Sequence, residues 1–325
     1  MMKYTGNALN VMAARIYKGI GRAWIVKNLS SPKSDTEIVR LLNESSKSES
    51  EITVEDFNKK KSMLRRLLEA SAGAMDGVVA LGDEEFPTHR GKVKNSEKPI
   101  FLFYRGDLSL LSTNSKNIAV IGLLNPTMDI ELLEREVVAA LVKKGAVIVS
   151  GLANGCDAIA HRETLDHKGK TVAILPSPLS DIMPATNRPL AERIVDNAGL
   201  LISEYLTAPK SKMELSGRYQ ERDRLQALFS DSILLSASYA KNDQGNDSGS
   251  RLAMGYAKDY SIPRAVIYDQ YQHATNRMFD LNRQIKQEDS DVIVINKSNM
   301  AMVLPVILKL KAAIFAPEPV QESLV

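Results

Sequence analysis

The chain has 325 residues, 44% hydrophobic and 25% charged, and its 42 basic and 39 acidic residues leave a net charge of +3. That composition fits a folded globular protein with room for about two domains. It excludes a chain-wide field for nucleic acid, so any phosphate site must be a local patch. No apolar run approaches the ~20 residues of a membrane span. The N-terminus lacks the apolar core of a secretory signal, and the single cysteine excludes an intrachain disulfide, so a cytoplasmic location is expected.

Residues 1–77 read as a small helical domain. Apolar positions recur at helical spacing from Ala8 to Tyr17 and from Met63 to Leu68. Between them, Lys18-Gly19-Ile20-Gly21-Arg22 is a Gly-x-Gly turn flanked by cations. This turn resembles a helix-hairpin-helix element, or more broadly a SAM-like helical module. Its backbone amides are candidates for a second DNA contact through Lys18, Gly19, Gly21 and Arg22. A plain helical hairpin accounts for the pattern equally well. Asn43 to Glu51 reads as a solvated loop, and Lys59-Lys60-Lys61 with Arg65-Arg66 as a basic helix face.

From residue 78 the pattern changes. Short strands are expected at Val78–Leu81 and Ile100–Tyr104. Seven apolar runs of strand length follow, at Ile118–Ile121, Ala146–Val149, Val172–Leu175, Leu200–Ser203, Ile233–Ser236, Ala265–Tyr268 and Val292–Ile295. Continuous apolar strands alternating with helical segments imply a mostly parallel sheet covered on both faces. The expected fold is therefore α/β, a doubly wound Rossmann-like sheet over 78–297. A C-terminal helix and tail, 298–325, would follow it, with the helix running from Met300 to Phe315. Ligands of such sheets sit at the carboxyl ends of the strands, near the point where strand order reverses.

Three strand-to-helix turns should share that rim: Gly122–Thr127, Ser150–Asp157 and Ser248–Ser250. Glycines allow close approach of backbone, and the first N–H groups of a helix are unpaired donors, so such turns can hold phosphate. The plainer alternative is that Gly151 and Gly155 only shape a loop and Asp157 only caps a helix. Neither G-x-G-x-x-G nor G-x-x-x-x-G-K-[ST] occurs, which argues against dinucleotide and P-loop sites. With four histidines and one cysteine, no metal cluster or cofactor site is expected. Cys156 reads as a buried hydrophobe rather than a nucleophile. Asp157 and His161 read as an ordinary helix contact rather than an acid–base pair. Arg222 and Arg224, near Lys210, Lys212 and Tyr219, can fork onto phosphates beside a stacking ring, or pair with Glu221 and Asp223.

The order of these segments resembles the DprA/Smf family of DNA-processing proteins. The lead-in matches Phe86-Pro87 and Lys98 to Gly106. The family's S-G-x-A-x-G-I-D-x-x-A-H matches Ser150 to His161, with Cys156 for the isoleucine. Further matches are Gly169 to Leu175, Pro184 to Leu190, Gly199 to Glu204 and Ser248-Gly249. The resemblance implies a non-enzymatic protein that binds single-stranded DNA and loads a RecA-like recombinase, usually as a homodimer, in recombination and natural transformation. Phosphate contacts carry over to Gly151, Asn154, Gly155, Arg222 and Arg224, with Lys170 as a neighbour. Ser150, Ser248 and Gly249 complete the expected set.

The chain departs from the family in three places. The family's V-G-S-R is Ile121-Gly122-Leu123-Leu124 here, R-N-R is Arg222-Asp223-Arg224, and the C-terminal winged-helix domain is not expected. Such divergence suits a mobile-element or phage-defence role, or an antitoxin-like partner of a toxin. A nucleotide sensor or nucleoside-monophosphate hydrolase on a related scaffold is a further alternative. The glutamate of that enzyme signature is missing from Asp247 to Ala253.

Overall fold

The computed structural model describes residues 2–241 and 249–314. Four helices come first: α1 (Gly6–Arg15), α2 (Arg22–Asn28), α3 (Asp35–Ser45) and α4 (Val54–Ala70). Their starts follow from local chemistry. Thr5, Ser34 and Thr53 each accept a backbone N–H from the first helical turn, and Asp56 returns a bond to Thr53 to close a capping box. Helix α3 extends into the segment expected as loop, ending at Ser45.

The remaining elements run β1 (Gly77–Ala80), β2 (Phe101–Gly106), β3 (Asn117–Ile121), α5 (Met128–Val142), β4 (Val147–Ser150), α6 (Cys156–Asp166), β5 (Thr171–Leu175) and α7 (Arg188–Asp196). Then come β6 (Leu200–Ser203), α8 (Lys212–Leu228), β7 (Ser232–Leu235), α9 (Ser250–Asp259), β8 (Arg264–Ile267), α10 (Gln270–His273), α11 (Asp280–Glu288), β9 (Ile293–Ile295) and α12 (Met300–Lys309). All nine strands form one sheet in the order β1-β2-β6-β5-β4-β3-β7-β8-β9. The seven strands from β3 onward pair in parallel, whereas β1 and β2 add an antiparallel extension against β6. The expected mostly parallel α/β sheet with a helical N-terminal region is what the chain forms. The C-terminal helix begins at Met300 as expected but ends at Lys309, short of the expected Phe315, which lies outside the described residues.

Burial explains the layering. Strands β3 to β8 are buried along their whole length, which requires helices on both faces. The N-terminal helices are not a separate lobe in packing terms. Leu9, Met12, Phe57 and Leu68 share one apolar cluster with Val78, Phe103, Leu152 and Leu201 of the sheet region. Lys3 also pairs with β1, its N–H donating to Asp76 O and its carbonyl accepting from Val78 N–H. On the loop between β1 and β2, buried Arg90 donates to Asp231 and to the Phe229, Leu111, Ser112 and Ser115 carbonyls.

Strand order reverses at β3. The chain moves from β3 outward through β4, β5 and β6, then returns to place β7 on the other side of β3. The carboxyl ends of β3, β4 and β7 therefore meet at one crevice, the position that favours ligand sites in this architecture.

Candidate nucleic-acid interface

The rim is built from the ends of three strands. Ser150 closes β4 from below: it is fully buried and its hydroxyl donates to Val120 O. Gly151 follows it, then Leu152 in the left-handed region at φ 59° and Gly155 at φ 73°. The third turn meets the first at Ser250, whose hydroxyl donates to Gly122 O. Of the residues expected in that third turn, Gly249 caps α9. Ser248 lies outside the described residues, as does the polar 242–247 stretch.

Gly155 is required on two counts. Its backbone conformation disfavours any side chain, and a Cβ there would lie 2.2 Å from Leu123 O and 2.4 Å from Leu124 O. Gly155→Val is expected to cost about 3 kcal/mol or more of stability, from strain plus overpacking. Denaturant unfolding of the purified variant checks this, and an unchanged midpoint contradicts it.

The N-terminus of α6 is only partly satisfied. Asp157 accepts from the Gly151 and Ala153 N–H groups at 3.1 and 3.3 Å. The N–H groups of Asn154 and Gly155 have no acceptor among the described residues. Asn154 is exposed, and its side-chain oxygen accepts from Thr186 Oγ1 and Asn187 Nδ2 at 3.1 and 3.3 Å. Thr186 and Asn187 thus orient a site residue from the Pro184–Leu190 turn, a family match in the sequence but not among the expected site residues.

Helix α8 brings its arginines beneath and beside this turn. The Arg222 guanidinium lies against Gly151: a Cβ on Gly151 would fall 1.4 Å from Arg222 Nη1. Arg222 bonds to Asp157 Oδ2 at 3.4 Å and lies 3.6 Å from Asp223 Oδ1. The Gln226 amide, oriented with its oxygen toward the site, accepts from Arg222 Nη1 at 2.7 Å and from Gly151 N–H at 2.9 Å. Gln226 carries no site signal in the sequence, although it lies one helical turn beyond Arg222. Tyr219 covers the guanidinium with its ring centroid 5.6 Å away.

Arg224 is only 1% exposed. It bonds to Glu204 at 2.5 Å and to Glu221 at 3.2 Å. Arg22 from the start of α2 binds the same two carboxylates, at 3.3 and 2.8 Å. The result is a four-charge network joining the N-terminal turn to β6 and α8. Of the two readings open for these arginines, the structure shows the pairing: Arg224 meets Glu221 and Arg222 lies beside Asp223, and both guanidinium groups turn inward onto carboxylates. Arg22 likewise turns onto Glu204 and Glu221, and Gly19 packs its turn against Lys47. Lys18 accepts from Lys47 N–H through its carbonyl, and Gly21 caps α2 in an extended conformation.

Lys170 is not at the rim. It precedes β5, so it sits at the amino edge of a parallel sheet, where its ammonium donates to Asn197 O at 2.8 Å. A strand of five residues separates it from the carboxyl edge, a rise of roughly 16 Å.

Electrostatics divide the buried groups. Burial pushes the Asp223 carboxyl up to about 7, against the pull of Arg222 and with added repulsion from Asp157. Burial pushes the Glu134 carboxyl up to about 8; it faces Cys156 and Ser236, and neither oxygen has a hydrogen bond of good geometry. Burial, then the Glu134 charge, raises the Cys156 thiol, which removes thiolate chemistry there. His161 does not pair with Asp157. It lies 2.7 Å from Thr171, whose hydroxyl donates to Ile148 O, and burial lowers its imidazole to about 3. Among the described residues, no group of three metal-ligating side chains occurs, and no helix is long and apolar enough to cross a membrane.

A family model for DNA recombination-mediator protein A matches residues 77–296. The chain belongs to the DprA/Smf family. Protein Smf of Synechocystis is 33% identical over 165 residues, covering 50% of this chain and 39% of that protein. DNA processing protein DprA of Bacillus subtilis is 30% identical over 139 residues, covering 43% of this chain and 45% of that protein. The match thus spans less than half the length of these relatives. The DprA structure from Streptococcus pneumoniae superposes with a TM-score of 0.68 at 20% identity, over 93% of this chain and 99% of that one. DNA processing protein A from Helicobacter pylori gives 0.57 at 26% identity, over 72% and 97%. The Helicobacter structure concerns a single-stranded DNA binding mode.

Proposed function

We propose that this chain is a non-enzymatic single-stranded-DNA-binding protein whose phosphate site is the α6 turn. The observation that carries the reading is the DprA/Smf match over residues 77–296, which spans the α6 turn and α8. The Helicobacter relative, solved for its single-stranded DNA mode, supports the ligand class. The geometry supports the place. The N–H groups of Asn154 and Gly155, without an acceptor among the described residues, stand at a helix N-terminus, where the macrodipole favours an anion. Arg222 lies under the same turn as a fixed cation. The family's description as a recombination mediator makes a recombinase loaded onto the bound strand the natural partner class.

Binding through backbone phosphates predicts little dependence on base sequence. It also gives Asn154 a specific role. Asn154→Asp keeps the oxygen that accepts from Thr186 and places a negative charge beside the phosphate. We expect about tenfold weaker binding, a like-charge repulsion of ~1.4 kcal/mol, with an unchanged melting temperature. A gel-shift titration with a single strand, beside a melt, checks both. Unchanged affinity in the folded variant moves the strand elsewhere on the molecule.

A further inference from the structure

We propose that the outer faces of α4 and α5 are two halves of one interface, so that copies of this chain join head to tail. The contact itself stands apart from the DNA reading; only its alignment along a bound strand rests on that reading.

Two apolar stripes face solvent on these helices. On α5, Met128 and Leu132, one turn apart, are 67% and 52% exposed, and Leu124 of the preceding loop extends the line at 55%. On α4, Met63 and Leu67 are 47% and 38% exposed. A shallow groove of about 680 Å³ runs along this α4 face between Glu55 and Leu67. Each helix already buries its opposite side: Phe57, Leu64 and Leu68 on α4, and Ile130, Val137 and Leu141 on α5. The exposed residues are therefore additional to the core-facing stripe that folding requires.

The charges flanking the two stripes are opposite. Lys59, Lys60 and Arg66 border the α4 stripe; Glu55 offsets Lys59 at 2.9 Å, and Arg66 has no ion-pair partner among the described residues. Lys60 lies 4.7 Å over the Tyr17 ring, with Asp56 as its nearby carboxylate. Asp129, Glu131 and Glu136 border the α5 stripe; Arg135 offsets Glu131, and Lys297 approaches Glu136 at 3.5 Å. Docking α4 on α4 would oppose cation to cation, and α5 on α5 would oppose acid to acid. Docking α4 of one copy on α5 of the next opposes unlike charges around two apolar stripes. A contact between different surfaces is heterologous and propagates unless the rotation closes a ring. Two single helix faces make a small interface, so a weak contact is expected in free solution. Tethering on a common strand raises the local concentration of neighbours and populates it.

Cys156, the single cysteine of the chain, is buried, so introduced surface thiols report alone. The test mixes two full-length variants, Leu67→Cys and Leu132→Cys, and treats them with a short bis-maleimide, with and without a long single strand. The expected result is a mixed 67–132 product, more abundant with the strand, and no dimer from either variant alone. The double variant should give a ladder beyond the dimer. Met63→Glu in the Leu67→Cys chain should abolish the mixed product while leaving the circular dichroism unchanged. Dimers from one variant alone, or no mixed product from folded variants with or without the strand, overturn the interface. A mixed product that the strand does not enhance supports the interface and overturns only its alignment on DNA.

Discussion

Asp223→Asn is expected to tighten single-strand binding about tenfold at pH 8 and to change it little at pH 6. Asp223 sits between α8 and the start of α9, so close that a Cβ on Gly249 would lie 2.7 Å from its Oδ2. A larger side chain would not fit, but asparagine has the same shape. Burial pushes the carboxyl up to about 7. Above that pH it is an anion 3.6 Å from Arg222 Nε and cancels the cation under the α6 turn. Below it the carboxyl is neutral and the Arg222 charge reaches the turn, with Asp157 as its remaining buried counterion. Wild-type affinity should therefore rise as pH falls through 7, and the variant should lose most of that dependence. One screened charge removed near a phosphate is worth about 1.4 kcal/mol, a factor of ten. Stability follows with the same group. Its folded pKa lies above its ordinary 3.8, so its favourable contribution is present below about pH 4 and lost as pH rises through 7. The variant should thus melt higher than wild type at pH 8 and equally at pH 4. Anisotropy and melting at these pH values check this; an unaltered pH profile in the variant contradicts it.

Arg224→Ala is expected to cost about 3–5 kcal/mol of stability, because it leaves buried Glu204 short of its closest cation. Arg22 remains on Glu204 at 3.3 Å, but at the site's edge rather than within it. The cost comes from the stranded carboxylate, not from the net worth of the pair. Glu204→Gln together with Arg224→Met should therefore lose much less than the two single changes added together. The loss should also loosen the N-terminal turn, since Arg22, Glu204, Glu221 and Arg224 share one network. Chemical unfolding of the single and double variants gives the cycle. Additive losses would mean that the four charges are not coupled.

The sheet was legible because its strands are apolar on both faces. Runs such as Ile118–Ile121 and Val172–Leu175 can be buried only between two helical layers, and alternation with helices leaves a parallel sheet as the solution. The glycine turn was legible for a local reason: Gly151 and Gly155 sit where a strand hands over to a helix. The near arginine partners Glu221 and Asp223 were legible as well, but the distant ones were not. Glu204 and Asp157 lie 20 and 65 residues from the arginines they meet, and only the fold brings them together. Lys170, carried over from the family only as a neighbour of the site, lies at the opposite edge of the sheet because it precedes β5. The inward turn of Arg222 depends on Gly151 lacking a Cβ, a steric fact of two distant segments that spacing along the chain does not express.

A single strand is expected to bind this rim through its phosphates. Fluorescence anisotropy with a labelled single-stranded oligonucleotide, a duplex control and a salt series tests it most directly. The expected result is preference for the single strand and an affinity that falls linearly in log–log form with salt, by about 0.7 per phosphate neutralised. No binding at low salt, or binding indifferent to salt, would contradict it.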